Sequence, residues 1–335
     1  MALLEVENLK THFFGHRGVT KAVDGVDFTV ERGEIVGIVG ESGSGKSVTS
    51  LSVLRLVDAP GRIVEGSIRF EGRDLLKLSN EEMRRLRGRR ISMIFQEPGT
   101  SMNPVLKVGF QIAEAIRSHE TVSNAEARRR TLELMDLVGI PDAKRRIDQY
   151  PHQFSGGMLQ RLMIAMGLAL SPALLVADEP VTALDVTIQA QILDLLKDLR
   201  DRTEAAVLLI THDMGVVAET CDRVLVMYLG RVVEEAPVGV LFDEPLHPYT
   251  QGLLGSIPKI DEKVEWLEAI PGSVPSPHDV PPGCRFSNRC PKVMDVCRTA
   301  EPPLRTHAPG HRVACYLYDD AVVAAAGGAQ GAGRG

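Results

Sequence analysis

No stretch of the 335-residue sequence approaches the apolar length needed to cross a bilayer. The first residues, Met1-Ala-Leu-Leu-Glu-Val-Glu-Asn-Leu, alternate like a strand and lack the layout of a secretory signal. The chain is therefore expected to stay in the cytosol, with any membrane association supplied by a partner. Positive charge is not in excess either: the formal net charge is -6, which argues against a surface devoted to nucleic acid. The one dense basic run, Arg84-Arg-Leu-Arg-Gly-Arg-Arg90, follows Glu81 and Glu82 and reads as an exposed helix. There is no internal repeat. Cysteine is scarce and uneven: five in all, with Cys284, Cys290, Cys297 and Cys315 in the last fifth of the chain. In a cytosolic protein such clustering favours metal binding over disulfides.

What is present is an ordinary globular composition, 44% hydrophobic and 24% charged, in a chain long enough for one large domain with an addition. Its organising stretch is Gly40-Glu-Ser-Gly-Ser-Gly-Lys-Ser47, which has the form G-x-x-x-x-G-K-S. A short β-branched run, Glu34 to Val39, precedes it, and apolar residues at helical spacing follow from Ser47 to Leu56. That strand–loop–helix setting is the one a phosphate-binding loop requires. Gly40, Gly43 and Gly45 let successive N–H groups turn inward around an anion, with Ser42, Ser44 and Val48 in the same contact region. The helix that follows presents its positive end. Lys46 suits the β- and γ-phosphates, and the Ser47 hydroxyl suits Mg²⁺.

Two further features narrow the chemistry. Leu174-Leu-Val-Ala-Asp178 is an apolar strand ending in an acid suited to Mg²⁺, and Glu179 follows directly, placed to polarise water. Phe154-Ser-Gly-Gly-Met158 opens a helix with Ser155, Gly156 and Gly157 exposing donors to an anion. This second phosphate-binding device points to a nucleotide held by another subunit.

At these residues the sequence resembles the ATP-binding cassette family, with Phe154 and Met158 where the signature motif usually has leucine and glutamine. The resemblance covers residues 1 to about 245. It implies an α/β fold, a P-loop NTPase cassette with a RecA-like core, an antiparallel β subdomain and an α-helical subdomain over about 97–170. It also implies roles: Gln96 as the Q-loop residue touching Mg²⁺ and water, Asp185 in the D-loop Ala183-Leu-Asp185, His212 as the switch histidine, and Phe13 or Phe14 stacked on adenine. Tyr150-Pro-His-Gln-Phe-Ser-Gly-Gly, Ala183-Leu-Asp-Val-Thr-Ile-Gln-Ala-Gln191 and His247-Pro-Tyr-Thr-Gln251 are similar to the dipeptide/oligopeptide importer branch, which also serves nickel uptake. That branch implies a related second ATPase subunit, two transmembrane permease subunits, an extracytoplasmic peptide-binding protein and a site on the cytoplasmic face of the membrane. A soluble cassette ATPase is the rival class. Such proteins usually carry tandem cassettes or coiled-coil insertions, and neither occurs here.

The boundary of the cassette is expected near residue 250. A proline- and cysteine-rich extension over 251–320 shows little helix or strand periodicity, and the Ala/Gly-rich tail 321–335 reads as disordered. Four cysteines suit either zinc or a [4Fe-4S] cluster. The spacing lacks a C-x-x-C knuckle, and the branch resemblance implies the cluster, with zinc second. A structural role is expected for it and redox sensing is the rival. Cys221 reads as a small buried residue.

Overall fold

A computed structural model describes residues 2–16, 18–96, 101–181, 185–257, 270–276, 279–319 and 322. Among them, two sheets pack through a shared apolar layer. The smaller sheet is antiparallel, in the order β2-β1-β4-β5, built from β1 (Leu4–Gly15), β2 (Gly18–Val30), β4 (Gly61–Phe70) and β5 (Arg73–Asp74). In the sequence only Gly66 to Gly72 reads as a strand here. The strand starts earlier because its first half pairs along β1, with Phe13 opposite Gly61.

The larger sheet is organised by β3 (Ile35–Val39), whose five residues are all buried. It lies between β8 (Ala206–Thr211) and β9 (Arg223–Tyr228), parallel to both. Beyond β8 come β7 (Leu174–Asp178) and β6 (Ile91–Ile94), also parallel. Near-continuous apolar strands are what a parallel sheet covered on both faces requires. Successive side chains leave opposite faces. Thus Val36 and Ile38 join Val6, Val26 and Ile68 of the small sheet, while Ile35 and Val39 face the helical layer. On that side lie α7 (Val186–Thr203), α8 (Met214–Thr220) and α6 (Gly156–Leu168).

The predicted helical stretch divides into α3 (Val108–Arg117), α4 (Asn124–Leu137), α5 (Ala143–Arg146) and α6. Ser123 caps α4 by accepting from the Glu126 N–H, as its S-x-x-E pattern predicts. The basic run is a short helix, α2 (Asn80–Leu86), with a full capping box between Ser79 and Glu82. Arg84 and Arg85 both pair with Glu81 on its exposed face.

β9 and β10 (Arg231–Pro237) form an antiparallel hairpin. The C-terminal extension departs from the reading of a region without regular structure. After α9 (Val238–Asp243), α10 (Pro248–Gly255) and the one-turn α11 (Asp295–Thr299), it adds β11 (Arg305–Ala308) and β12 (His311–Val313). β12 pairs with β10, so the extension continues the main sheet in the order β11-β12-β10-β9-β3-β8-β7-β6. Strands of three and four residues are too short to show a period in the sequence. Buried Glu234 of β10 fixes this junction by accepting from His311 Nε2 at 2.8 Å and from the N–H groups of Leu246 and His247. The tail read as disordered lies outside the described residues, Val322 apart.

Candidate active site

Parallel strands place the residues that follow them along one edge, which is where ligands bind in such sheets. Here that edge carries Gly40 after β3, Gln96 after β6, Asp178 and Glu179 at the end of β7, and His212 after β8. The sequence spreads these residues over more than half the chain, and the strand order brings them together.

The loop after β3 demands glycine at two positions. Gly40 has φ 153° and Gly45 φ 101°, and a Cβ at either would run into the backbone carbonyl of Met227 or Ala22. The first helix, α1 (Lys46–Val53), starts directly from this loop. Lys46 is buried, and its ammonium donates to the carbonyls of Gly40 at 2.7 Å and Glu41 at 3.1 Å. Burial pulls its pKa down, and the carboxylates of Glu179, Asp178 and Glu41 oppose that. Ser47 Oγ donates to Asp178 Oδ1 at 3.1 Å, joining the two groups expected to face Mg²⁺. Burial raises the Asp178 carboxyl above its ordinary value despite that hydrogen bond. An anionic Asp178 is therefore held ready at a cost that a bound cation would relieve.

Glu179 adopts φ 48°, a left-handed conformation uncommon for a glutamate, and its N–H still reaches the Ile210 carbonyl at 2.9 Å. Its carboxylate receives Gln96 Nε2 at 2.9 Å and lies 3.3 Å from His212 Nδ1. The backbone turn thus aims one acid between two polar partners at the sheet edge.

A cavity of about 350 Å³ opens over the loop. Ser42, Gly43, Ser44, Gly45, Lys46, Ser47, Val48, Gln96 and Glu179 line it. Phe13 does too, but Phe14 does not: consecutive residues on a strand face opposite ways, and the Phe14 ring lies under the Arg62 guanidinium at 4.1 Å. Ser155, Gly156 and Gly157 are not among the lining residues. They open α6, where Ser155 is the N-cap and Gly156 has open space at its Cβ position. Asp185 caps α7 through the Ile188 N–H at 2.9 Å; the other D-loop residues, Ala183 and Leu184, lie outside the described residues.

The sequence reading missed several residues at this site. Thr20, Lys21 and Ala22 of β2, Leu229 and Val280 complete the cavity wall. None carries a motif. The branch-specific His247-Pro-Tyr stretch did hold a signal. His247 is buried and its Nδ1 accepts from the Tyr249 N–H, while burial pushes its pKa down to about 3, keeping the ring neutral. Tyr249 in turn accepts the Glu41 N–H on its hydroxyl at 2.8 Å.

The four clustered cysteines all line one cavity of about 10 Å³. Burial pushes the thiol of Cys284 up to about 11 and that of Cys315 up to about 12, and raises that of Cys290. The donor chemistry suits a thiolate-bound group. Among the described residues, however, no set of three or more His, Cys, Asp or Glu side chains is arranged to hold a metal ion. Cys221 is buried against β3, as expected, with its thiol pushed up to about 12.

Comparison with known proteins follows the same division. The model of the ABC transporter family matches residues 23–182, and that of the oligopeptide/dipeptide transporter C-terminal region matches residues 233–297. The oligopeptide transport ATP-binding protein AppD of Bacillus subtilis (strain 168) is 56% identical over 319 residues, 95% of this chain and 97% of its own. The chain belongs to the ABC transporter ATP-binding family. Within it, the dipeptide transport ATP-binding protein DppD of Escherichia coli (strain K12) is 49% identical over 96% of this chain and 98% of its own. The cassette also resembles MJ0796, in a dimeric post-hydrolysis structure bound to ADP and Pi, with TM-score 0.65 and 27% identity over 70% of this chain and 98% of that one. The family makes this ABC protein an ATP-hydrolysing enzyme, and no helix among its described residues is long and apolar enough to cross a membrane.

Proposed function

We infer that this chain is the ATP-hydrolysing subunit of an importer that takes up di- and oligopeptides. The observation that carries the reading is that its likeness to peptide-transport subunits runs through the C-terminal region as well as the cassette. Residues 1–250 act as the cassette, and 251–320 as an extension particular to this branch.

The phosphate groups of ATP sit in the loop from Gly40 to Val48, with Phe13 against the adenine. Lys46 faces the β- and γ-phosphates. Ser47, Asp178 and Gln96 would hold Mg²⁺, which supplies neutralisation of the phosphate charge. Glu179 orients the attacking water, and His212 stabilises the charge that develops at the γ-phosphate. Ser155, Gly156 and Gly157 serve a nucleotide in the opposite subunit, with Asp185 at the same interface. A related ATPase is that subunit, and two transmembrane permeases receive the motion through the surface around Gln96. The chain works on the cytoplasmic face of the membrane, and an extracytoplasmic peptide-binding protein delivers the substrate. Cells lacking this chain are expected to lose uptake of labelled dipeptide and keep nickel uptake; loss of nickel uptake alone would overturn the peptide reading.

We also propose that Cys284, Cys290, Cys297 and Cys315 hold a [4Fe-4S] cluster with a structural role. Its support is the donor set, four thiols on one cavity. Protein purified without oxygen is expected to contain iron and acid-labile sulfide in equal amounts. Stoichiometric zinc without sulfide would replace the cluster by a zinc site.

A further inference from the structure

The phosphate loop is gripped from the far end of the chain. Arg289, in the cysteine-rich extension, sends Nη1 to Glu41 Oε2 at 2.7 Å and Nη2 to Glu41 Oε1 at 3.1 Å. Glu41 is the second residue of the loop, 248 positions away in sequence. The arginine side chain is 4% exposed. Nε donates to the Pro271 carbonyl at 2.9 Å, Nη1 also to Tyr228 Oη and Nη2 also to the Ile270 carbonyl, and the guanidinium lies over the rings of Tyr228 and Phe286. The same loop residue is held through its backbone: the Glu41 N–H donates to Tyr249 Oη, and Tyr249 packs against Phe286. The extension therefore meets the Glu41 side chain directly through Arg289, and its main chain through Tyr249 at the end of the cassette, which packs on Phe286 of the extension.

Two more contacts run the same way. Arg285 donates to the carbonyl of Leu229 and to Asp24 Oδ2 at 2.6 Å, and Leu229 lines the nucleotide cavity. Val280 of the extension lines that cavity directly.

We propose that Arg289 is a positioning residue for nucleotide binding: its fork on Glu41 holds the phosphate loop in its cradle, so affinity for ATP depends on the C-terminal extension. The reasoning is geometric. A bidentate guanidinium–carboxylate pair fixes orientation as well as distance, and burial of the Arg289 side shields it from water although Glu41 stays partly exposed. Glu41 lies between the Gly40 and Ser42 backbones that form the anion nest, and its own carbonyl accepts from Lys46. A shift of Glu41 thus displaces both the nest and the phosphate-facing ammonium. The pair also sits one residue from Cys290, so the four-thiol cavity and the loop share a short stretch of chain.

This rests on the cassette reading of residues 40–47, and the test separates the two. ATP affinity is measured by titration with a fluorescent nucleotide for the full chain, Arg289→Met, Arg289→Lys, Glu41→Gln and the double variant, with Lys46→Ala as the reference for loss of the site. Arg289→Met is expected to weaken ATP binding about tenfold, in line with couplings carried between packed elements. Arg289→Lys, which keeps the charge without the fork, is expected to recover only part of that. Glu41→Gln is expected to show a similar loss, and the double variant no more than either single, since both remove one contact. Wild-type affinity in folded Arg289→Met or Glu41→Gln overturns the proposal if Lys46→Ala still loses binding. Additive losses in the double variant overturn it as well. Unchanged affinity in Lys46→Ala overturns the nucleotide site itself. Should Arg289→Met fail to fold, Glu41→Gln, which leaves every side chain of the extension in place, decides between these outcomes.

Discussion

Replacing Glu179 by glutamine is expected to leave ATP binding intact and to slow hydrolysis at least about a hundredfold, the usual scale for removing a general base. The side chain keeps its size and one acceptor oxygen, so its contacts at the sheet edge survive in form. What it loses is the charge that Gln96 Nε2 and His212 Nδ1 now face at 2.9 and 3.3 Å. Without that charge, water beside the γ-phosphate has no acceptor for its proton. Binding is spared because Lys46 keeps two of the three carboxylates that offset its burial, Asp178 and Glu41, and because the loop's N–H groups are untouched. Equilibrium nucleotide binding and steady-state phosphate release on the same preparation check the outcome. Near-full turnover in Glu179→Gln would remove this residue from the mechanism.

The second large effect concerns the isolated chain. It is expected to bind ATP and turn it over slowly, because its own Ser155, Gly156 and Gly157 are not among the residues that line the cavity over the loop. The Ser155-Gly-Gly157 device opens a different helix and is absent from that lining. A helix N-terminus with an exposed serine and two glycines has anion-binding chemistry, and here it opens away from the residues that line its own subunit's cavity. The dimeric state of the structurally similar MJ0796 with ADP and Pi fits this arrangement. Adding the related ATPase subunit proposed as its partner is expected to raise turnover by orders of magnitude, since the missing donors act on charge that develops at the γ-phosphate, and single donors of this kind are worth about a hundredfold.

Much of this site was legible in the sequence because its parts are local. The run from Ile35 to Ser47 contains its own strand, turn glycines and helix start, and each of them is present in the fold. The strands before Asp178 and His212 are continuous apolar runs, as parallel strands buried on both faces must be. Ser123 was legible as a cap for the same reason, since its partner lies three residues away, whereas Asn80 and Ser79 were equal candidates until the structure gave the role to Ser79.

Other features depend on distant pairing and left no local trace. Whether Phe13 or Phe14 faces the cavity is fixed by the register of β1, and adjacent residues of equal character cannot reveal it. The extension showed only prolines and cysteines, yet β12 extends the main sheet because β10 offers it an edge. Arg289 and Glu41 carry opposite charges like many other pairs in the chain, and only the fold brings these two together. The cysteines were visible as a cluster. That all four line one cavity follows from the turns around Cys284 and Cys297, whose backbones are hydrogen-bonded at 2.8 Å.

The central claim is that the loop from Gly40 to Ser47 is half of a catalytic site. Its most direct test is ATP turnover per chain, measured over a range of protein concentrations, alone and with the proposed partner ATPase titrated in. The account predicts low turnover for the isolated chain at every concentration that keeps it monomeric, and a saturable rise as the second subunit is added. Full turnover in a strictly monomeric preparation, unchanged by that addition, would contradict it.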